Sequence, residues 1–443
     1  MTRAARPGHR FPPGSLNFNG FSFFNAVTFQ IVLGAPVILY AKSLGASSLV
    51  LGTIASLTPL LSILQLVAAR FLHRTGYRRF ALTGWGVRTL FVLLLTAVPL
   101  LPGLAAEMRL VLVAVALFCF NLVRGFAAGA WLPWLTALVP ETVRGRFLSR
   151  DNAFMHVGCL VALLVSAWVM AGTVEAVEYA GVFAIGLASA LVSLWFIARI
   201  PDAQSPEERK NSGTPVPWAA MLRHPPFARL LWFTTFYMTV IGSLGVFTVE
   251  FLAGREKYAE GMILLLNGLS FAGALAGLAW AGPHLDATGS KPWLGRALLL
   301  FAAVIAGWFL LAAGVWPAAE WLVGLLNFAG GLAGAVFGVA NTRIVMGSIP
   351  AMGRNHFFAL FTVISSLGLG AAPILWGALL DALRSREVTL GGLNLDHYAV
   401  YFGALAVLAL FDRSLVGRLH EGGPAPAAPL PAAVEARPVA PVE

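Results

Sequence analysis

The chain alternates long apolar runs with short polar breaks, and each run is long enough to cross a membrane as a helix. A bilayer core about 30 Å thick takes about 20 apolar residues per helical crossing. With that ruler the pattern predicts spans over 20–41, 46–69, 80–100, 110–135, 153–173 and 179–200, then over 229–251, 261–282, 294–314, 317–342, 356–381 and 397–417. The fold class expected is an all-α membrane protein with twelve transmembrane helices in two pseudo-symmetric six-helix bundles. The polar stretch holding Glu207, Glu208, Arg209 and Lys210 reads as a cytosolic linker over 201–226, between bundles at 15–200 and 227–420. Residues 1–14 are polar and basic, and 421–443 are rich in Pro and Ala with no apolar period, so both ends are expected to be disordered and cytosolic.

Composition supports the membrane reading. Hydrophobic residues make up 58% of the 443 and charged residues only 11%, against roughly 25% charged in a soluble domain. The net charge of +10 is spread singly between apolar runs and forms no continuous face for phosphates, which argues against nucleic acid. Topology accounts for it better, because loops on the cytoplasmic side of a membrane keep an excess of Lys and Arg. With the N-terminus inside, 22 basic residues fall on the cytosolic side. Only Lys42, Arg109, Arg255, Lys257, Arg384 and Arg386 fall opposite. The expected location is the bacterial inner membrane, multi-pass, with both termini cytosolic. The first apolar stretch is too long for a signal peptide and has no small-residue cleavage site, so it is expected to stay as the first helix. Cys119 and Cys159 both sit in apolar runs, where a thiol is a small hydrophobe, and imply neither disulfide nor metal.

An internal repeat crosses the linker. After the second span the chain carries Ala69, His73, Arg74, Gly76, Arg78 and Arg79; after the eighth it carries Gly282, Asp286, Gly289 and Lys291. The two turn glycines, Gly76 and Gly289, are 213 residues apart. A second pair, Pro140 to Arg146 and Pro350 to Arg354, recurs after 210 residues. On these motifs the chain resembles the major facilitator superfamily, whose loops after helices two and eight carry Gly-x-x-x-Asp-x-x-Gly-x-Arg/Lys-Arg/Lys. The resemblance covers all twelve spans. It implies that these loops act as conformational switches, with the acid helping to hold the halves together when the cavity faces outward. Ala69 and His73 depart from the pattern, in place of its glycine and its acid. The bland reading is that Gly76 and Gly289 only make turns and the basic residues only set topology.

The fifth span, Val157 to Trp168, lacks the Gly-Pro motif typical of the family's proton-linked drug exporters, which weakens a drug/proton exporter reading. The glycines from Gly368 to Gly377 on span eleven follow no strand, so they read as helix packing and not as a nucleotide fingerprint. Gly330, Gly334 and Gly338 on span ten are read the same way, as small residues that let helices approach.

A charged side chain at a bilayer centre costs about 2.5 to 3.5 kcal/mol on insertion scales, so one found there is a functional candidate. By this reading only Arg124, in the middle of span four, qualifies. Asn121 at i−3 and Trp131 at i+7 share its helical stripe, and arginine forms bidentate bonds to carboxylate or phosphate. The resemblance implies a cavity lined by helices one, four, seven and ten, which adds Gln30, Asn327 and Tyr237. The alternatives are interhelical hydrogen bonds for the amides, and a salt bridge or carbonyl contacts for Arg124. Every Asp and Glu is read as lying in a loop or near a helix end, which disfavours a buried-carboxylate proton relay. No Walker lysine motif or paired metal-ligand spacing occurs, so neither enzyme chemistry nor a cofactor is expected.

The expected function is secondary transport of a small solute, an organic anion or amphipathic acid, by alternating access. A non-transporting sensor or assembly factor of the same fold is the alternative class, separable by solute flux in proteoliposomes. The expected partners are a small-molecule solute and the lipid bilayer, with no nucleic acid, and the protein is expected to be monomeric. Reporters fused to either chain end should be accessible from the cytosol alone in intact cells. Labelling of one end from the opposite side would break the twelve-span count.

Overall fold

The computed structural model describes residues 14–419 apart from 66, 69–74, 102, 140, 203–221, 349–353, 387 and 391–392. The predictions for Ala69, His73 and Arg74, for most of the linker, and for both chain ends lie outside the described residues. Helices α1 (Ser15–Leu33) and α2 (Ala35–Ser43) form span one, and α3 (Ser48–Leu61) belongs to span two. Span three is α4 (Tyr77–Ala97) with a 3-10 turn, Val98–Leu100; span four is α5 (Ala106–Ala128) followed by α6 (Trp131–Leu138). Spans five and six are α7 (Glu141–Val169) and α8 (Ala176–Ile197). Spans seven to twelve are α9 (Pro225–Gly254), α10 (Glu260–Thr288), α11 (Ser290–Ala312), α12 (Glu320–Ser348), α13 (Arg354–Leu383) and α14 (His397–Leu415). Among the described residues eleven segments are long and apolar enough to cross a membrane, and α3 is a shorter apolar helix. The protein is therefore a multi-pass membrane protein.

The structure departs from the simplest reading in three places. Span one is broken at Gly34, whose backbone is extended, with Pro36 near the start of the next helix. Span four is interrupted at 129–130, between α5 and α6. The chain is also not purely helical, because Val388–Leu390 and Leu393–Leu395 pair as a two-stranded antiparallel hairpin before span twelve.

Packing repeats with a period of six spans. Span one packs on five and six, span three on four and six, and span two on four. The same partners recur as seven on eleven and twelve, nine on ten and twelve, and eight on ten. Across the pseudo-twofold, span two packs on eleven and span five on eight. Very close approaches make these contacts. A Cβ at Gly52 would sit 2.1 Å from the Pro373 carbonyl oxygen, and one at Gly377 would sit 2.5 Å from that of Ser48. The expectation for span ten needs correction. Gly334 and Gly338 face open space and Gly330 meets only Val304 at 3.6 Å, whereas a Cβ on Gly331 would fall 1.8 Å from the Ser270 carbonyl oxygen. Residues spaced by four share one helix face, and here that face is turned away from span eight.

Two faces can be told apart: the terminal face, where described residues 14, 200 and 419 lie, and the distal face beyond Ser43 and Gly254. Among the described residues the polar contacts between halves gather at the distal face. Lys42 Nζ lies 2.7 Å from Glu250 Oε1, which also accepts a bond from Ser48 Oγ at 2.8 Å. Glu250 is only 2% exposed, so its charge depends on these two partners. Asp381 accepts from the backbone N–H groups of Ser48 and Leu49 at 3.0 and 2.9 Å. It thereby places a carboxylate at the positive end of α3. Tyr179 donates to Glu260 in a further contact between the halves.

At the terminal face the two repeat glycines do equivalent work. Gly76 has φ 76°, ψ 154° and Gly289 has φ 81°, ψ 173°, each immediately before the next span. That region of backbone space is essentially open to glycine alone. Arg78 then donates to the carbonyl of Ala198 at the end of span six, a favourable place for a cation at a helix C-terminus. Replacing either glycine by alanine should cost roughly 1 to 3 kcal/mol, read as a lower melting temperature of the purified protein. Equal melting of wild type and both variants would contradict this account of the turns.

Candidate functional site

Arg124 lies in the terminal half of α5, where the end of α3 in span two comes against span four. A Cβ on Gly125 would fall 2.1 Å from the Leu61 carbonyl oxygen, so the missing side chain lets the last turn of α3 reach the guanidinium. Arg124 Nη2 donates to the Thr58 carbonyl at 2.7 Å and to Ser62 Oγ at 2.8 Å, and Nε donates to Asn121 Oδ1 at 3.3 Å. The partial negative charge at the C-terminus of α3 favours the cation. Asn121 is fully buried, donates to its own helix at Leu117 (2.9 Å) and accepts from Thr58 Oγ1 at 2.9 Å. Its side chain is thus committed to the junction of spans two and four.

Arg124 is not the only ionisable group well inside a span. Arg88, central in α4, is 1% exposed, and its guanidinium sits 5.2 Å from the centroids of Phe29 and Trp85 and 5.3 Å from that of Phe120. Its Nη2 donates to Asn25 Oδ1, which also accepts from Trp85 Nε1 at 3.2 Å. Nε and Nη1 of Arg88 are buried with no partner. The Phe29 ring also carries Arg124, 5.4 Å from its centroid. Two cations therefore lie against one phenyl ring, and among the described residues neither has a carboxylate partner. Arg88 stands in the apolar run from Trp85 to Leu95 of span three, so its depth marks it in the sequence as depth marks Arg124.

Beside this pair lies a cavity of about 620 Å³. Its wall includes Asn25, Phe29, Gln30, Gln65, Trp85 and Trp131, and also Asp151 and Phe271. Gln30 and Gly34 meet at the break in span one, where a Cβ on Gly34 would lie 2.5 Å from Gln30 Nε2. Trp131 opens α6 and packs on Phe21 with ring centroids 4.7 Å apart. Asp151 accepts from Ser22 Oγ at 2.6 Å.

Of the residues expected from sequence, Gln30 and Trp131 line the cavity, while Arg124 and Asn121 stand behind its wall. The structure does not bring the other two to it. Asn327 donates to Val323 of its own helix at 3.1 Å. Tyr237 is stacked on Phe337, centroids 3.5 Å apart, within the apolar core of the second half. Gly76, Arg78, Arg79, Gly289 and Lys291 occupy the terminal face around the starts of spans three and nine; Gly282 and Asp286 fall in the last turns of α10. Asp412 is fully buried with neither oxygen bonded and lies in the last turn of α14, near a helix end as expected.

Comparison with solved structures gives the same architecture at low sequence identity. A mutant form of the nucleoside transporter NupG aligns with TM-score 0.70 and 11% identity over 91% of this chain and 99% of that one. A D-xylose–proton symporter aligns with TM-score 0.70 and 15% identity, covering 92% and 97%. A bacterial homologue of the iron transporter ferroportin, in an inward-facing state, gives 0.68 and 12%, covering 91% and 97%. A search of curated proteins returns no match. The family model described as Major Facilitator Superfamily matches residues 19–318, well over half of the chain. The twelve spans, the six-span packing repeat and the paired glycine turns agree with that match, and the chain belongs to the major facilitator superfamily of membrane transporters.

Proposed function

We propose that this protein is a secondary transporter for a small organic anion or amphipathic acid, moved by alternating access between the two halves. The observation that carries this reading is the unpaired charge of Arg124 beside the cavity. Its partners are a carbonyl, a hydroxyl and an amide, which solvate a guanidinium without neutralising it. Phe29, against which it lies, and Ala128, one turn further along its helix, both belong to the cavity wall. An anionic group entering from the cavity would supply the missing counter-charge, and the aromatic rings of Trp85, Trp131 and Phe21 suit an apolar body attached to it.

Alternating access requires contacts between halves that close one face while the other is open. The ion pair of Lys42 with Glu250 and the capping of α3 by Asp381 serve as that closure on the distal face. In this reading the terminal face is cytosolic, the membrane is the bacterial inner membrane, and the domain boundaries fall at the linker near 201–226. In this reading the protein acts as a monomer.

Arg124→Ala should lower uptake of the transported anion into proteoliposomes by about ten- to hundredfold, the size of one lost charge-assisted hydrogen bond. Insertion and monodispersity of the variant should be unchanged. Uptake at the wild-type rate would remove Arg124 from the mechanism and the anion reading with it.

A further inference from the structure

The second buried guanidinium has no part in the proposal above. Arg88 keeps Nε and Nη1 without partners in a fully enclosed place, an arrangement that costs free energy unless something offsets it. The three rings around it and the Asn25 carbonyl solvate part of its charge. They do not neutralise it. This shell is also cavity wall, because Asn25, Phe29 and Trp85 each contact Arg88 on one side and the cavity on the other. Arg124 stands on the same Phe29 ring, close enough for the two cations to repel.

The one carboxylate in that wall, Asp151, is bound to Ser22. Ser22 lies two helical turns before Phe29, about 10 Å nearer the terminal face. The deep end of the cavity is therefore positive, with two cations and no acid among the described residues. A ligand with one negative charge would leave half of that charge unmet.

We infer that the cavity selects a dianion, with Arg124 as the first anchor and Arg88, against the same Phe29 ring, as the second charge that distinguishes two negative charges from one. The chemical class is a small molecule carrying two carboxylates, or one phosphate, on an apolar or aromatic body. This rests on the anion reading above and narrows it. Phe29 stands against both guanidiniums and lines the cavity.

The test uses terephthalate and 4-carbamoylbenzoate, which match in size and shape and differ by one negative charge. Their affinities for the purified full-length protein are measured by isothermal titration. Wild type should prefer the dianion by roughly tenfold or more, as attraction to a second, partly desolvated cation implies. In Arg88→Gln that ratio should collapse toward one, and Arg88→Lys, which keeps the charge, should restore much of it. Asn25→Asp, which gives Arg88 a carboxylate partner without changing its shape, should abolish the preference as well and serves if Arg88→Gln does not fold. Arg124→Gln should weaken both probes.

An unchanged dianion preference in Arg88→Gln or Asn25→Asp would overturn the role of Arg88 and leave the anion reading standing. Equal wild-type affinity for the two probes would do the same. Wild type binding neither probe would overturn both.

Discussion

The structure turns on the cost of holding charge inside a bilayer. Two guanidiniums are placed within the membrane span of neighbouring helices, where insertion at the centre is unfavourable by about 2.5 to 3.5 kcal/mol each. Neither is given an acid among the described residues. What is given instead is partial solvation: a carbonyl from the last turn of α3 and a hydroxyl for Arg124, and an aromatic box with one amide for Arg88. Such an arrangement is stable enough to fold and, in the proposed function, still attractive to an anion. A pair neutralised within the protein would be stable without being attractive.

Several local features hold that geometry. Gly125 lets span two approach span four closely enough for Thr58 to reach Arg124. Asn121 ties the same two helices together through Thr58. The break in span one at Gly34 sets the backbone beside Gln30 at the cavity wall, in keeping with discontinuous helices at transporter midplanes. The distal contacts of Glu250 and Asp381 lie far from this centre. They bind one half to the other through side chains of the two bundles.

Much of the fold was legible in the sequence, because length and hydropathy leave few alternatives in a bilayer. Twelve apolar runs, the basic loop asymmetry and the glycine pair at a 213-residue spacing all point to twin bundles. The breaks at Gly34 and at 129–130 were not legible, since a hydropathy ruler does not register a backbone turn inside an apolar run. The hairpin before span twelve is too short to carry a strand period. The candidate site was legible in part. Arg124 and Trp131 follow from depth and helical stripe and Gln30 from the family resemblance, whereas Asn25, Phe29 and Gln65 depend on rotations that only packing fixes. Gly331 shows the same limit, because spacing marks a small-residue face and cannot say which neighbour it meets.

If uncompensated charge is what draws the solute, supplying the compensation inside the protein should silence it. Ser62 Oγ sits 2.8 Å from Arg124 Nη2, so Ser62→Asp places a carboxylate where the anion's charge is needed. Uptake of the transported anion by this variant is the most direct measurement. The account predicts that uptake is lost while the protein melts at a higher temperature than wild type. Undiminished uptake by Ser62→Asp would contradict it.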